Sequence, residues 1–550
     1  MITNKIKSQK EARQSILNGV KKVADAVTST LGPGGRNVII ERGNGLPPVV
    51  TKDGVSVAKS IVLEDNFENM GAQMVIEVAS KTNTSCGDGT TTATLLAYST
   101  YNNCVKAVED GNEPMNVKRG ILDALETAKE MVKSRTISVD GDEAIKNVAR
   151  ISANGDESIG DMVSTVIKET GKDGIVVVQE SKSLDTTWST TKGVRLDSGF
   201  VSPYFANDIQ GRCQATFENA WILFYAAKLS NINELFPVLN LAHTKGHPLV
   251  IVAPDFDAEV ISTLVVNRLK TGLKVCAVKA PGVLDKIKLD FMTDAAIATG
   301  GSVVSDEIGV KLVNVDESYL GKAKRVDVNL TTTTFVDGEA NKETFDKRIT
   351  ELREEYADEG TNEYQKHILK ERIAKLVAGI GVVKVGGETA SIIHEKRDRI
   401  DDAICATREA ISGGIVAGAG VTLYNVGVSL LSGDKKDNIG YQIVGNALKS
   451  PLLKILDNAG YLNTEDAKHY ISAIENDGGN DAVDPYAGYD VREWKYHDNL
   501  VEAGIIDPAN VTLSAITNAI SVAALLISTD CMVGINPDNT PKIDLSGLNG

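Results

Sequence analysis

The apolar residues of this 550-residue chain change their period twice, and that change restricts its architecture more than any other feature. Over residues 11–30 they recur at helical spacing, at Ala12, Ile16, Val20, Val23 and Val27; residues 67–82 repeat the pattern at Met70, Met74, Val75 and Val78. In the middle, continuous apolar runs take over at 174–178, 248–252 and 273–278, as expected of buried strands. These runs alternate with helical segments at 233–244 and 257–270, which makes the centre an α/β domain. A charged helical stretch follows at 341–376, punctuated by Gly379, Gly381, Gly386 and Gly387, and from Ile400 onward the helical pattern returns. Helical ends around an α/β middle predict a nested chain whose two ends together build one domain. A mass of 58.6 kDa leaves room for two to four domains.

Composition narrows the partners. A net charge of −16 argues against nucleic acid. Only 5% of residues are aromatic, whereas 49 are glycine, which suits tight turns and hinges better than aromatic binding platforms. Six cysteines, at 86, 104, 213, 276, 405 and 531, include no Cys-x-x-Cys pair, so neither a zinc site nor a disulfide framework is expected. The first ten residues are polar, and no uninterrupted apolar run is as long as a membrane span. A cytoplasmic protein without a membrane partner is expected.

Four segments look like parts of one phosphate site. Gly87-Asp88-Gly89-Thr90-Thr91-Thr92-Ala93-Thr94 is a flexible turn opening a helix, where unpaired N–H groups and the helix dipole favour an anion; Asp88 adds a hard oxygen ligand suited to Mg2+. A polar helix cap is the simpler explanation of the same residues. Thr30-Leu31-Gly32-Pro33-Gly34-Gly35 supplies amides for close approach to phosphate, Lys52-Asp53-Gly54 a cation beside a carboxylate, and Gly413-Gly414 with Gly418-Ala419-Gly420 more accessible backbone. None matches the Gly-Lys-Ser/Thr ending of a P-loop.

In this order the segments resemble the group I chaperonins of the GroEL type. The likeness runs essentially end to end, through Gly199-Phe200-Val201-Ser202-Pro203-Tyr204-Phe205, Val278-Lys279-Ala280-Pro281-Gly282, Asp401-Asp402-Ala403 and Gly504-Ile505-Ile506-Asp507-Pro508. The resemblance implies a multidomain α and α/β fold with three nested domains. These are an equatorial ATPase domain (1–134 with 413–550), an intermediate hinge domain (135–190 with 381–412) and an apical domain (191–380). It implies ATP and Mg2+ as cofactors, with K+ as an optional companion ion. Asp88 would hold the metal, Gly89, Thr90, Thr91 and Thr92 the phosphates, and Thr30, Leu31, Gly32, Pro33, Lys52, Gly418, Ala419 and Asp490 would border the nucleotide. Asp53 would sit by the γ-phosphate, Asp402 would orient the attacking water and Asp507 would hold the ribose. Without the family, Asp402 is a solvated helix carboxylate beside Asp401 and Arg399.

For the apical domain the resemblance implies a polypeptide-binding groove of Phe200, Tyr204, Phe205, Phe236, Leu239, Ile261, Val265 and Val266; the apolar pattern alone fits helices buried on both sides. The implied partners are non-native client proteins, copies of the chain in seven-membered single or double rings, and a co-chaperonin lid. Hinges are expected at Gly193, Gly379, Gly381 and Gly414, because glycines absorb large backbone rotations. The chain departs from the family in places. Gly34 stands where a Lys or similar side chain is usual, Ala419 replaces a glycine and Asp490 an asparagine. Ser198, Ala390, Leu453, Leu462 and Lys435 fall where ion pairs link subunits or rings, so a changed ring contact is expected. The ending Asp544-Leu545-Ser546-Gly547-Leu548-Asn549-Gly550 replaces a Gly-Gly-Met tail, with weaker tail action expected. Such divergence suits a phage-encoded copy, acting in the host cytoplasm. An ATP-driven folding chaperonin leads; a holdase ring with little hydrolysis and a structural scaffold are the rivals.

Overall fold

The computed structural model describes residues 4–535 apart from 42–47, 140–141, 154–155, 172–173, 182, 192, 208–212, 306–308, 359–361, 378 and 478–483. The expectation about the last residues, 544–550, therefore lies outside the described part. The chain divides into two compact units. One comprises Met1–Ser164, Glu180–Asp185 and Val385–Gly550, the other Thr165–Gln179 and Thr186–Lys384.

In the first unit, helices Gln9–Thr28, Asn66–Cys86, Thr90–Glu109, Pro114–Ser134 and Ala509–Ile527 share one core, with Val20, Val23, Tyr101, Ile121, Ile516 and Ile520 sealed inside it. The sequence sets several of their ends. Asp65 caps Asn66–Cys86 by accepting from the N–H groups of Phe67 and Glu68; Pro114 opens the next-but-one helix, where its missing N–H costs nothing. Ala509–Ile527 is long and apolar enough, by length and composition, to cross a membrane, but Asn510, Thr512, Ser514, Thr517, Asn518 and Ser521 break it up, so it is not an uninterrupted apolar run. It lies mid-core, with 61% of its apolar window buried, against helices Asn66–Cys86, Thr90–Glu109 and Pro114–Ser134. Its polar Asn518 donates to Thr82 Oγ1 at 3.1 Å.

A neighbouring cluster gathers Tyr424, Leu452, Leu456, Tyr470 and Leu500, and Leu453 and Leu462 pack half-buried against it. Lys435 bonds within the chain to Asp123 at 2.7 Å and to the Tyr441 hydroxyl at 2.9 Å. Strand Ile415–Ala417 pairs antiparallel with Ile506–Pro508, setting Val416 opposite Asp507. That pairing joins two segments about ninety residues apart.

The second unit is built on a seven-stranded mixed sheet. Its order is Gly193–Leu196, Thr333–Gly338, Gly321–Val328, Ala215–Tyr225, Leu249–Ala253, Val275–Lys279, with Val303–Val304 added parallel to Ala215–Tyr225. The last three strands of that order run parallel, connected by helices Ile232–Lys245 and Ala258–Thr271. Their residues are covered on both faces, hence the continuous apolar runs.

The run at 174–178 behaves differently. It forms Ile175–Glu180 in a separate three-stranded sheet with Ile380–Val385 and Thr187–Thr191, and its valines are only half-buried. A short valine run does not say which sheet it joins. The stretch at 341–376 is two helices, Lys342–Ala357 and Glu363–Val377. They carry Arg348 and Arg372 to Asp294, at 2.9 and 2.6 Å; the side chains of Arg372 and Asp294 are only 3% and 4% exposed. Gly193 and Gly381 lie inside strands, where a Cβ would press on Ile380 and Val166, so close packing accounts for glycine there.

Three residues expected in an exposed groove are instead in the core of this unit: Phe200, Phe205 and Leu239. Phe200 bridges the buried strand residue Val278. Leu239 shares the inward stripe of its helix with Leu235, Val238 and Ala242. Tyr204, Phe236 and Val266 are exposed, at 61%, 49% and 45%, while Ile261 and Val265 are half-buried. Leu269, 64% exposed and one turn beyond Val265, was not anticipated, though the spacing 261–265–269 is its signal.

Candidate functional site

The first unit encloses a cavity of about 310 Å³. One wall is the turn between helices Asn66–Cys86 and Thr90–Glu109. Gly87 and Gly89 both have left-handed backbones, φ 70° and 81°. A Cβ at Gly87 would strike the Cys405 side chain, and one at Gly89 would come within 2.6 Å of Val511. Glycine is thus dictated twice, by conformation and by space. Gly89 is itself the N-cap of Thr90–Glu109, and no side chain caps that helix. The polar-cap explanation therefore fails, and the first-turn amides face a cavity lined by Thr90, Thr91 and Thr92. Asp88 Oδ1 accepts from the Gly89 amide at 2.5 Å.

Carboxylates come to this cavity from several separate elements. Asp53 lines it while capping helix Gly54–Ser60, accepting from Val55 and Ser56 N–H groups at 3.2 and 2.8 Å. Helix Ala390–Gly413 lines it with Glu395, Asp398, Arg399 and Asp402, one stripe at helical spacing. Asp507 arrives through the pairing of Ile415–Ala417 with Ile506–Pro508. Burial raises the pKa of Asp88, with nearby Asp53 adding to it, despite the Gly89 amide. Asp402 is raised well above the carboxylate range, by burial first and then by Asp88 and Asp53. Burial and Asp88 push Asp507 up to about 7. Asp402 is thus no solvated helix carboxylate. Crowded carboxylates of this kind mark a functional cleft.

The donor set fits a hard cation held jointly with phosphate. Among the described residues no three His, Cys, Asp or Glu side chains form a metal cage by themselves. Magnesium is usually held by one or two carboxylates plus phosphate oxygens, and Asp88 beside an open helix N-terminus offers that arrangement.

Thr30, Leu31, Gly32, Pro33, Lys52, Ala419 and Asp490 also line the cavity. The Thr30 hydroxyl is used internally, donating to Val27 O at 2.8 Å. Gly34 has no room for the side chain usual there, because a Cβ would lie 2.7 Å from the Ala459 backbone. Gly418 is not on the wall. It donates to Ile505 O at 3.0 Å and holds the neighbouring strand, which corrects its expected ligand contact. The sequence reading missed Glu395, Asp398, Tyr489 and Arg492; only the stripe 395–398–402 carried a readable signal.

Ala419 sits at φ 55°, where a Cβ is strained. Ala419→Gly is expected to stabilise the protein by about 1 kcal/mol, raising the first unit's melting temperature by about 1–3 °C in calorimetry. A lower melting temperature would show that the methyl group packs favourably enough to outweigh the strain.

The chain matches the model of the TCP-1/cpn60 chaperonin family over residues 23–537. Among solved structures it is similar to the chaperonin gp146 from the bacteriophage EL 2 (Pseudomonas aeruginosa), crystallised in the presence of ATP-BeFx. Crystal form II gives a TM-score of 0.67 at 23% identity, covering 96% of this chain and 98% of that one. Crystal form I gives 0.57 at 22% identity, with the same coverage. At that identity the likeness is one of fold. The family match spans both ends of the chain and the inserted middle alike, so this protein belongs to the TCP-1/cpn60 chaperonin family, as a divergent member.

Proposed function

We propose that this chain is an ATP-hydrolysing chaperonin, which captures non-native polypeptides and uses nucleotide to drive their release or folding. One observation carries the reading: an uncapped helix N-terminus opens on a cavity where Asp53, Asp88, Asp402 and Asp507 converge from both ends of the chain. Oriented amides and Thr90–Thr92 hydroxyls suit phosphate oxygens. Asp88 would hold Mg2+ against the phosphates, and that ion would supply the charge neutralisation phosphoryl transfer needs. Asp402 would hold the attacking water and take a proton from it. Asp53 would fix the γ-phosphate end and Asp507 the ribose. The related phage chaperonin was crystallised with ATP-BeFx, which supports a nucleotide here.

Capture of clients is assigned to the exposed Tyr204, Phe236, Val266 and Leu269 with Ile261 and Val265, since unfolded chains expose apolar residues of their own. In this reading residues 1–134 with 413–550 form the ATPase domain, 135–190 with 381–412 the hinge, and 191–380 the client domain. The chain would work as seven-membered rings, single or double, with or without a lid.

Asp402→Ala is the test. ATP turnover is expected to fall about 100-fold or more, the usual scale for losing a general base, while ATP binding persists. Turnover equal to the wild type's would argue for a holdase that binds clients with little useful hydrolysis.

A further inference from the structure

Helix Ala390–Gly413 brings Arg399 to the cavity wall one turn before Asp402, on the same stripe, and no step above uses it. The other cations on the wall, among the described residues, are Lys52 and Arg492. Arg492 is engaged. Its Nη2 donates to Asp490 Oδ2 at 3.0 Å, in a hairpin of Gly488–Asp490 with Lys495–His497 whose Trp494 stacks on Tyr461.

Arg399 is held more loosely. Its Nη2 donates to Glu395 Oε2 at 2.8 Å, and Glu395 itself lines the cavity. Its Nη1 stands 3.8 Å from Asp156 Oδ2, too far for a hydrogen bond. Its Nε is buried and has no hydrogen-bond partner among the described residues. A guanidinium carries five N–H donors, so this one keeps donor capacity in hand beside a cavity suited to an anion. A buried donor without a partner calls for a ligand, and the oxygens of a phosphoryl group match the guanidinium fork.

We propose that Arg399 is a catalytic residue of the ATPase: with nucleotide bound, its guanidinium turns from Glu395 and Asp156 and donates to the γ-phosphoryl group during transfer. This rests on the nucleotide reading above and deepens it. In the step, a bond forms from the water oxygen to the γ-phosphorus while the bond from that phosphorus to the β,γ-bridging oxygen breaks. The water's proton goes to Asp402, and the electron pair of the broken bond stays on ADP. Arg399 gives up no proton; its N–H groups hold the equatorial oxygens, whose charge the wall carboxyls would otherwise oppose.

The test uses the full-length assembled protein with Mg2+. In Arg399→Ala, turnover at saturating ATP is expected to fall about 100-fold or more, the scale of losing one transition-state donor. ADP with aluminium fluoride, which stands in for the transferring phosphoryl group, should bind this variant at least about 30-fold more weakly, and ADP alone within about threefold of wild type. Equal weakening of the two ligands overturns the proposal, as does turnover within about fivefold of wild type. A residue that only braces the helix would behave differently. Asp156→Asn keeps the oxygen that accepts the Ile159 N–H at 3.2 Å but removes the charge facing Arg399. It is expected to retain about half of wild-type turnover or more, because so long a contact contributes little; a loss matching that of Arg399→Ala overturns the proposal. Should Arg399→Ala fail to fold, Arg399→Lys keeps the charge without the fork and is judged by the same ligand comparison. Failure of these criteria in a protein that hydrolyses ATP overturns this inference alone. A wild type that binds no ATP, or binds it without hydrolysis, overturns it together with the ATPase reading.

Discussion

Asp88→Asn is expected to weaken Mg2+-dependent nucleotide binding by about 100-fold or more while making the nucleotide-free protein more stable at pH 8. The two effects have one cause. Asp88 raises the pKa of both Asp402 and Asp507, so the empty cavity suffers from the charge that a magnesium–phosphate pair requires. Asparagine keeps the oxygen that accepts the Gly89 amide, so the turn is retained.

The sign with pH follows from folded-state pKa values above the unfolded one. Protons are bound more tightly when folded, so these groups oppose folding increasingly as pH rises. For Asp507 the penalty is absent below about pH 4, the unfolded value, and complete once pH passes about 7. Partial contact with the cavity's water reduces it to on the order of 2–3 kcal/mol. The wild type without nucleotide should therefore melt several degrees lower at pH 8 than at pH 5.5, and Asp88→Asn should flatten that slope. Calorimetry at the two pH values, paired with a magnesium-dependent ATP titration, checks both halves. A variant less stable than wild type at pH 8, with an unchanged slope, would refute the account.

Asp294→Ala is expected to produce the largest loss of stability in the second unit. It leaves Arg372, sealed from solvent, without its closest partner and also strips one from Arg348; among the described residues only Asp290, at 3.3 Å, remains for Arg372. Breaking one side of a buried pair costs about 3–5 kcal/mol, chiefly through the stranded charge. For a unit of this size that corresponds to a drop of about 10 °C. Asp294→Leu combined with Arg372→Met should recover much of the loss, because a buried ion pair contributes little net stability over apolar residues of similar volume. Thermal melts of the single and double variants form the cycle. A double variant as unstable as Asp294→Ala would mean that the network holds the helices by geometry rather than by charge balance.

Much of the site was legible because its parts are local. Gly-Asp-Gly before a threonine run specifies left-handed turns and an unblocked helix start wherever it occurs, and Gly87 and Gly89 adopt them. Asp402 was readable only through the family resemblance, since on its own helix it is one acidic residue among several. Arg492 and Tyr489 had no signal at all, because their place on the wall depends on a hairpin clamped by Tyr461, which lies about thirty residues upstream.

The sequence by itself determined the helical ends, the α/β centre and the phosphate turn, because periodicity and glycine's conformational freedom act over a few residues. The tertiary structure alone decided that Phe200, Phe205 and Leu239 are core while Tyr204, Phe236 and Leu269 face solvent. It also decided that the valines near 176 join a separate sheet, and that burial beside other carboxylates raises the pKa of Asp402 and pushes that of Asp507 up to about 7. Exposure, strand partnership and charge state are sums over neighbours hundreds of residues away, and no local pattern contains them.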